Sequence, residues 1–261
     1  MSDRGVALRI EDVGKSFTAK GGVVEALRTV SLDVAAGEFL AVVGPSGCGK
    51  STLLQIAAGL IPASVGRVRV GEEIVVGPPR SLVYLFQQYS KSLFPWLTVE
   101  SNVMFAFRHR MPLGAAEAKA RCAEYLGMVG LADFAGHYPW QLSGGMQQRV
   151  AIARALAAEP RALLLDEPFS SVDALTRMDL HALILDLWTQ KQFTAVLVTH
   201  DVDEAVLLAD RVAVLTHRPA VLSEIVETGL PRPRDPVATK ESARFLDIRR
   251  HLLDKLLARQ A

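Results

Sequence analysis

The chain has 261 residues, 29 basic against 28 acidic side chains, a formal charge of +1 and half its residues hydrophobic. That length can bury a full core without disulfide or metal staples, and the near-zero charge excludes a broad electrostatic pull towards nucleic acid or anionic lipid. Two cysteines, Cys48 and Cys122, are too few for a disulfide framework and fit a reducing compartment, the opening residues lack a signal-peptide core, and no apolar run reaches the roughly 20 residues of a membrane-spanning helix.

Leu8 and Ile10 alternate with Arg9 and Glu11, and Val30, Leu32 and Val34 with Ser31 and Asp33, the period of half-buried strands. An N-terminal antiparallel sheet is predicted. Glu38 to Val43 is then a nearly continuous apolar run that ends in a glycine-rich turn and a helix from about Ser51. Similar runs at Ala162 to Leu165, Ala195 to Val198 and Arg211 to Leu215 predict a parallel sheet covered on both faces, so the fold class is α/β. Between Gln88 and Pro160 the spacing of Ala118, Cys122, Tyr125 and Val129 predicts an inserted helical subdomain. The proline-rich stretch Gly229 to Pro236 reads as a surface linker, and Phe245, Ile248, Leu252 and Leu256 as a closing amphipathic helix.

Three motifs carry chemistry. Gly44-Pro45-Ser46-Gly47-Cys48-Gly49-Lys50-Ser51-Thr52 satisfies the phosphate-loop pattern between a strand and a helix. Backbone N–H groups and the positive helix end would make an anion site, with Lys50 on the β- and γ-phosphates and Ser51 on Mg²⁺. Leu163-Leu164-Leu165-Asp166-Glu167 delivers two carboxylates at a strand's C-terminal end, where ligands bind in open α/β sheets. Asp166 can hold Mg²⁺ directly or through water, which leaves Glu167 to polarise a water molecule as a base. Leu142-Ser143-Gly144-Gly145-Met146-Gln147 opens a helix with a capping serine and two glycines. Glycine in a first turn weakens a helix, so these two imply another requirement, and a second anion-binding helix start suggests a site shared between two chains.

Together these residues resemble the nucleotide-binding subunit of an ATP-binding-cassette transporter, with Leu142 to Gln147 similar to that family's signature motif. The resemblance implies a phosphate-loop NTPase core bearing an antiparallel β subdomain and a helical subdomain at about 88–160. It sets the ATPase domain at 1–230, with linker and C-terminal helix at 231–261. It implies that Phe17 stacks on adenine, the alternative being a buried core phenylalanine, and that Gln87 meets Mg²⁺ and the membrane subunit. Asp173, in Ser171-Val172-Asp173, corresponds to a loop that crosses a dimer interface, and His200 to a switch histidine at the γ-phosphate. Gln88 and Val172 depart mildly from the commonest pattern without removing a catalytic group.

The segment Leu93 to Val99 and the tail Leu230 to Pro236 are similar to the nitrate, sulfonate and taurine importer branch. Phe94, Pro95, Trp96 and Leu97 form an apolar cluster, read either as a packed hinge or as a permease-docking surface. The expectations are therefore an ATPase using ATP and Mg²⁺ that pairs as a homodimer and docks on transmembrane permease subunits. It would serve an extracytoplasmic solute-binding protein from the cytoplasmic face of the inner membrane, with no nucleic-acid partner. The alternatives are a soluble cassette ATPase serving DNA or translation, a small-molecule kinase, a regulatory cassette, or an importer of another solute such as a pyrimidine precursor. Cys48, beside Lys50 and a helix start, is expected to have a lowered thiol pKa.

Overall fold

A computed structural model describes residues 5–19, 22–87, 92–110 and 113–257. Gln88, the first position of the expected helical subdomain, lies outside these residues. Ten strands form one sheet in the order β5-β4-β1-β2-β10-β9-β3-β8-β7-β6. They are β1 (Leu8–Ala19), β2 (Gly22–Val34), β3 (Phe39–Val43), β4 (Val65–Val70), β5 (Glu73–Ile74), β6 (Leu82–Leu85), β7 (Ala162–Asp166), β8 (Thr194–Val198), β9 (Arg211–Leu215) and β10 (Ala220–Glu227).

The N-terminal expectation holds in register: Leu8 pairs with Val34 and Ile10 with Leu32 across the antiparallel β1–β2 pair. The strands β9, β3, β8, β7 and β6 run parallel. Here continuous apolar runs are needed because both faces are covered. Phe39, Ala41 and Val43 of β3 enter one core cluster while Leu40 and Val42 enter the other, and β7, β8 and β9 divide the same way. The strand β10 joins the two halves, parallel to β2 and antiparallel to β9. His217, Arg218 and Pro219, which interrupt the apolar run in the sequence, form the turn between β9 and β10.

Seven α-helices complete the described fold: α1 (Lys50–Ala57), α2 (Val99–Arg110), α3 (Ala115–Met128), α4 (Gly144–Ala157), α5 (Ala174–Lys191), α6 (Val202–Leu208) and α7 (Ala243–Leu257). The first packs against the β1–β2–β4 side, whereas α2 to α7 contribute to the opposite cluster. No strand occurs among the described residues between β6 and β7, as the helical spacing predicts. None of the described helices is long and apolar enough to cross a membrane.

The proline-rich tail is more than a surface linker. Arg234 is buried, and its guanidinium donates to the carbonyls of Leu207 (2.9 Å), Ala209 (2.8 Å) and Leu230 (3.3 Å), and to Thr228 Oγ1 (3.2 Å). Arg232 pairs with Asp210 at 2.7 Å and lies over the Trp188 ring at 4.0 Å. The two arginines thus cap the carbonyl end of α6, where cations and donors are favoured. Helix α7 then buries Phe245, Ile248 and Leu252, with Leu256 partly covered.

Candidate active site

The phosphate loop sits between β3 and α1. Gly47 and Gly49 have φ of 71° and 117°, a region that disfavours side chains, and Gly49 is the N-cap of α1. A Cβ on Gly49 would stand 2.9 Å from Leu27 Cδ2, so the loop is also pressed onto β2. Lys50 Nζ donates to the carbonyls of Gly44 (2.8 Å) and Pro45 (3.1 Å), which folds the ammonium over its own loop. Ser51, one position further, turns its hydroxyl away and donates to Asp166 Oδ1 at 2.8 Å.

Asp166 ends β7, whose apolar residues make it a central strand. Its other oxygen, Oδ2, accepts the hydroxyl of Tyr84 at 2.6 Å. Tyr84 belongs to β6, paired in parallel with β7, so the sheet register supplies this partner. Burial first, and then the neighbouring carboxylate, push the Tyr84 phenol far above its ordinary range, so it stays protonated and donates to Asp166. Sequence reading missed Tyr84, because β6 is only four residues long and lies far from Asp166 in the chain.

Glu167 follows with φ 42°, a left-handed conformation that is costly for a residue with a side chain and concentrates at functional sites. Its N–H donates to Val198 O at 2.9 Å, locking this turn to the end of β8. Oε2 of Glu167 then accepts from Gln87 Nε2 at 3.2 Å and meets His200 Nδ1 at 3.1 Å. Three residues named separately from the sequence, at the ends of β6, β7 and β8, therefore meet at one oxygen. Hard oxygen ligands from Ser51 and Asp166 lie beside one another, a donor set that fits Mg²⁺.

Other expected residues stand apart. Phe17 is not a core phenylalanine: it is 41 % exposed in the β1–β2 hairpin, with Lys15 Nζ 5.0 Å from its ring centre. Ser143 caps α4 by accepting from Met146 N–H at 3.3 Å. Asp173 caps α5, accepting from Thr176 N–H (3.0 Å) and Thr176 Oγ1 (2.7 Å), and these bonds hold its carboxyl below the ordinary range. Thr176 also explains one signature glycine: a Cβ on Gly145 would stand 2.4 Å from Thr176 Cγ2. Among the described residues neither Ser143 nor Asp173 makes a polar contact with the phosphate loop of its own chain.

The expectation for Cys48 is corrected. Its side chain is buried in the core cluster beneath the loop, and burial raises the thiol pKa more than Lys50 lowers it. A groove of about 450 Å³ opens beside β6, lined by Phe86, Phe94, Phe105, Ala151 and Arg154. Within the Phe94–Leu97 cluster the backbone is anchored while one ring is exposed. Asn102, fully buried, binds the carbonyls of Phe94, Leu97 and Thr98 and accepts from Phe94 N–H, while Trp96 stays largely exposed.

A strand–phosphate loop–helix beside a carboxylate-tipped strand defines a phosphate-loop NTPase, and the helical insertion ending in Ser143-Gly144-Gly145 narrows the class. Residues 27–170 match the ABC transporter family, more than half of the chain, and the protein belongs to that family as an ATP-hydrolysing, nucleotide-binding subunit. An uncharacterised ABC transporter ATP-binding protein of Methanocaldococcus jannaschii is 46 % identical over 96 % of this chain and 91 % of its own. The aliphatic sulfonates import ATP-binding protein SsuB of Bacillus cereus is 40 % identical over 96 % of both chains. The bicarbonate transport ATP-binding protein CmpC of Synechocystis is 44 % identical over 94 % of this chain but 37 % of its own. Among solved structures, the dimeric post-hydrolysis ATP-binding cassette MJ0796 with ADP and Pi superposes with a TM-score of 0.74, at 33 % identity, over 84 % of this chain and 98 % of that one.

Proposed function

We propose that the chain energises an importer of a small anionic solute, of the class of nitrate, taurine or an aliphatic sulfonate. The observation that carries the chemistry is the convergence of Gln87 and His200 on Glu167 Oε2, beside Ser51 and Asp166. The phosphate loop from Gly44 to Thr52 binds the polyphosphate through its backbone N–H groups, of which Pro45 has none, with Lys50 released from its carbonyls onto the β- and γ-phosphates. Mg²⁺ held by Ser51 and Asp166, with Gln87 near it, would neutralise charge developing on the transferred phosphate. Glu167 takes a proton from the attacking water and His200 meets the γ-phosphate. Phe17, exposed at the hairpin, stacks on the adenine.

Ser143, Gly144, Gly145 and Asp173 serve the second chain. Two copies related by a two-fold axis would place the phosphate loop of each against the signature helix of the other, an isologous arrangement. The dimeric cassette with a TM-score of 0.74 supports this pairing. The groove beside β6 adjoins the segment that leads to Gln87, which suits it to a permease helix. Importer function is supported by the match to SsuB over 96 % of both chains. The subunit would then work at the cytoplasmic face of the inner membrane, with residues 1–230 as the ATPase domain and 231–261 as its C-terminal extension.

Affinity capture of the full chain from gently solubilised membranes, with mass spectrometry of co-purifying proteins and phosphate release assayed on the same sample, tests this reading. A multi-span permease with ATPase activity is expected, and the solute-binding protein of that permease leads to the solute. Recovery of soluble partners alone, with turnover intact, overturns the transport role.

A further inference from the structure

Behind His200 lies a buried polar cluster that this chemistry does not use. Glu204, in the first turn of α6, is almost fully buried. Its Oε2 accepts the Thr199 hydroxyl at 2.6 Å, and Thr199 Oγ1 accepts in turn from the Asp201 N–H at 3.0 Å. His200 is the residue between these two. On its other side Glu204 Oε1 lies 3.4 Å from His181 Nε2 and 3.9 Å from Arg177 Nε, both on α5. Arg177 also reaches Asp201 at 3.6 Å.

His181 is as deeply buried as Glu204 and stands edge-on to Phe169, with ring centres 4.8 Å apart. Neither of its nitrogens has an aligned hydrogen-bond partner among the described residues, so the Glu204 carboxylate is its one polar contact there. Phe169 is two positions after Glu167. Contacts therefore run from Phe169 through His181 and Glu204 to Thr199, the chain neighbour of His200, whose own ring meets Glu167 at 3.1 Å.

A carboxylate taken out of water is costly unless it is paired and hydrogen-bonded. Capping does not account for this one, because Asp201 Oδ1 already accepts the N–H groups of Asp203 and Glu204. What Glu204 does fix is the Thr199 rotamer: a hydroxyl that donates to Glu204 and accepts from Asp201 has one orientation. That in turn fixes the backbone on both sides of His200, whose ring is largely exposed and held through Nδ1 by Glu167. The geometry points to Glu204 and Thr199 as positioning residues for His200, with Arg177 and His181 as the α5 side chains that lie against Glu204. This inference rests on His200 acting at the γ-phosphate.

The test is a double-mutant cycle on the full-length protein, following phosphate release from radiolabelled ATP together with ATP affinity. Thr199→Val, which keeps the side-chain shape, and Glu204→Gln should each lower kcat about ten-fold with the KM for ATP changed by less than about two-fold. Thr199→Ser should restore kcat. In a His200→Ala background Thr199→Val should cause no further loss, since residues acting through one group are not additive. A full further loss in that background, or failure of Thr199→Ser to restore kcat, overturns the positioning role. Should Thr199→Val not fold, Glu204→Gln completes the same cycle. Unchanged turnover in His200→Ala alone overturns instead the reading of His200, which is a separate result.

Discussion

Tyr84 and Asp166, 82 positions apart in the chain, share a hydrogen bond of 2.6 Å between phenol and carboxylate. With Tyr84 on Oδ2 and Ser51 on Oδ1, both oxygens of Asp166 are oriented in advance. Tyr84→Phe leaves Ser51 as the one hydroxyl on the carboxylate, and part of the cost of ordering Oδ2 then falls on Mg²⁺ binding. A hydrogen bond to a charged group contributes about 1.5–3 kcal/mol, so the Mg²⁺ concentration for half-maximal turnover should rise roughly ten-fold or more. The thermal shift produced by Mg²⁺ with ATP should weaken in parallel, and an unchanged Mg²⁺ dependence would remove Tyr84 from the site.

Glu167→Gln preserves the contact with Gln87 in shape but cannot take a proton. Positioned bases contribute about 10² to 10⁴ in rate. Phosphate release should fall by that order while ATP still binds, and the ATP-bound pair should accumulate. Size-exclusion chromatography with ATP measures the second effect; unchanged hydrolysis would exclude Glu167 as the base.

Gly145 and Thr176 give a separable test of the signature helix. Gly145→Ala drives a methyl group into Thr176 Cγ2, and overpacking of this kind typically costs about 1–3 kcal/mol. Thr176→Ser removes that methyl and keeps the hydroxyl that Asp173 accepts. Combining the two should recover thermal stability. Turnover that remains low in the stable double variant would assign Gly145 to nucleotide contact as well as to packing; recovery of both would leave it a packing residue.

Both cysteines should resist alkylation in the folded protein near neutral pH and react fully in denaturant. Burial raises each thiol above its ordinary range, and Cys122 is pushed up to about 12. A thiol whose pKa is raised by folding contributes stability that is fully present below its unfolded value, about 8.5–9, and is lost as pH climbs towards the folded one. Stability should therefore decline above pH 9, and Cys122→Ala should flatten that decline. Rapid labelling of native Cys48 would contradict its burial.

Arg234→Ala should destabilise the protein by at least about 1–3 kcal/mol, the cost of a buried polar group left unsatisfied. Burial lowers the Arg234 pKa to about 10, so the side chain remains charged at neutral pH and needs its four acceptors. A melting midpoint within error of wild type would return the segment after residue 230 to the status of a passive linker.

Much of this was legible from residue order because it is local. A phosphate loop occupies nine consecutive positions, and its glycines serve backbone angles that the loop itself dictates. The apolar runs of β3, β7, β8 and β9 report burial on two faces, and the spacing of Ala118, Cys122 and Tyr125 reports a helix face. Strand β6 escaped detection because four residues carry too little pattern, and with it went Tyr84. The thiol of Cys48 was misjudged for a related reason: its charged neighbours are adjacent in sequence, whereas the core cluster that buries it is drawn from strands far along the chain.

The sequence by itself determined the chemistry on offer, since Lys50, Ser51, Asp166, Glu167 and His200 are each announced by a short motif. Tertiary structure alone decided which of them meet. The parallel register of β6, β7 and β8 brings Gln87, Glu167 and His200 to one oxygen, and α5 lays Thr176 against Gly145. Arg234, too, is buried only because α6 ends where its guanidinium can reach. Such meetings depend on the path of the chain between the motifs, and a side chain's partners are set by distance in space rather than by distance along the chain.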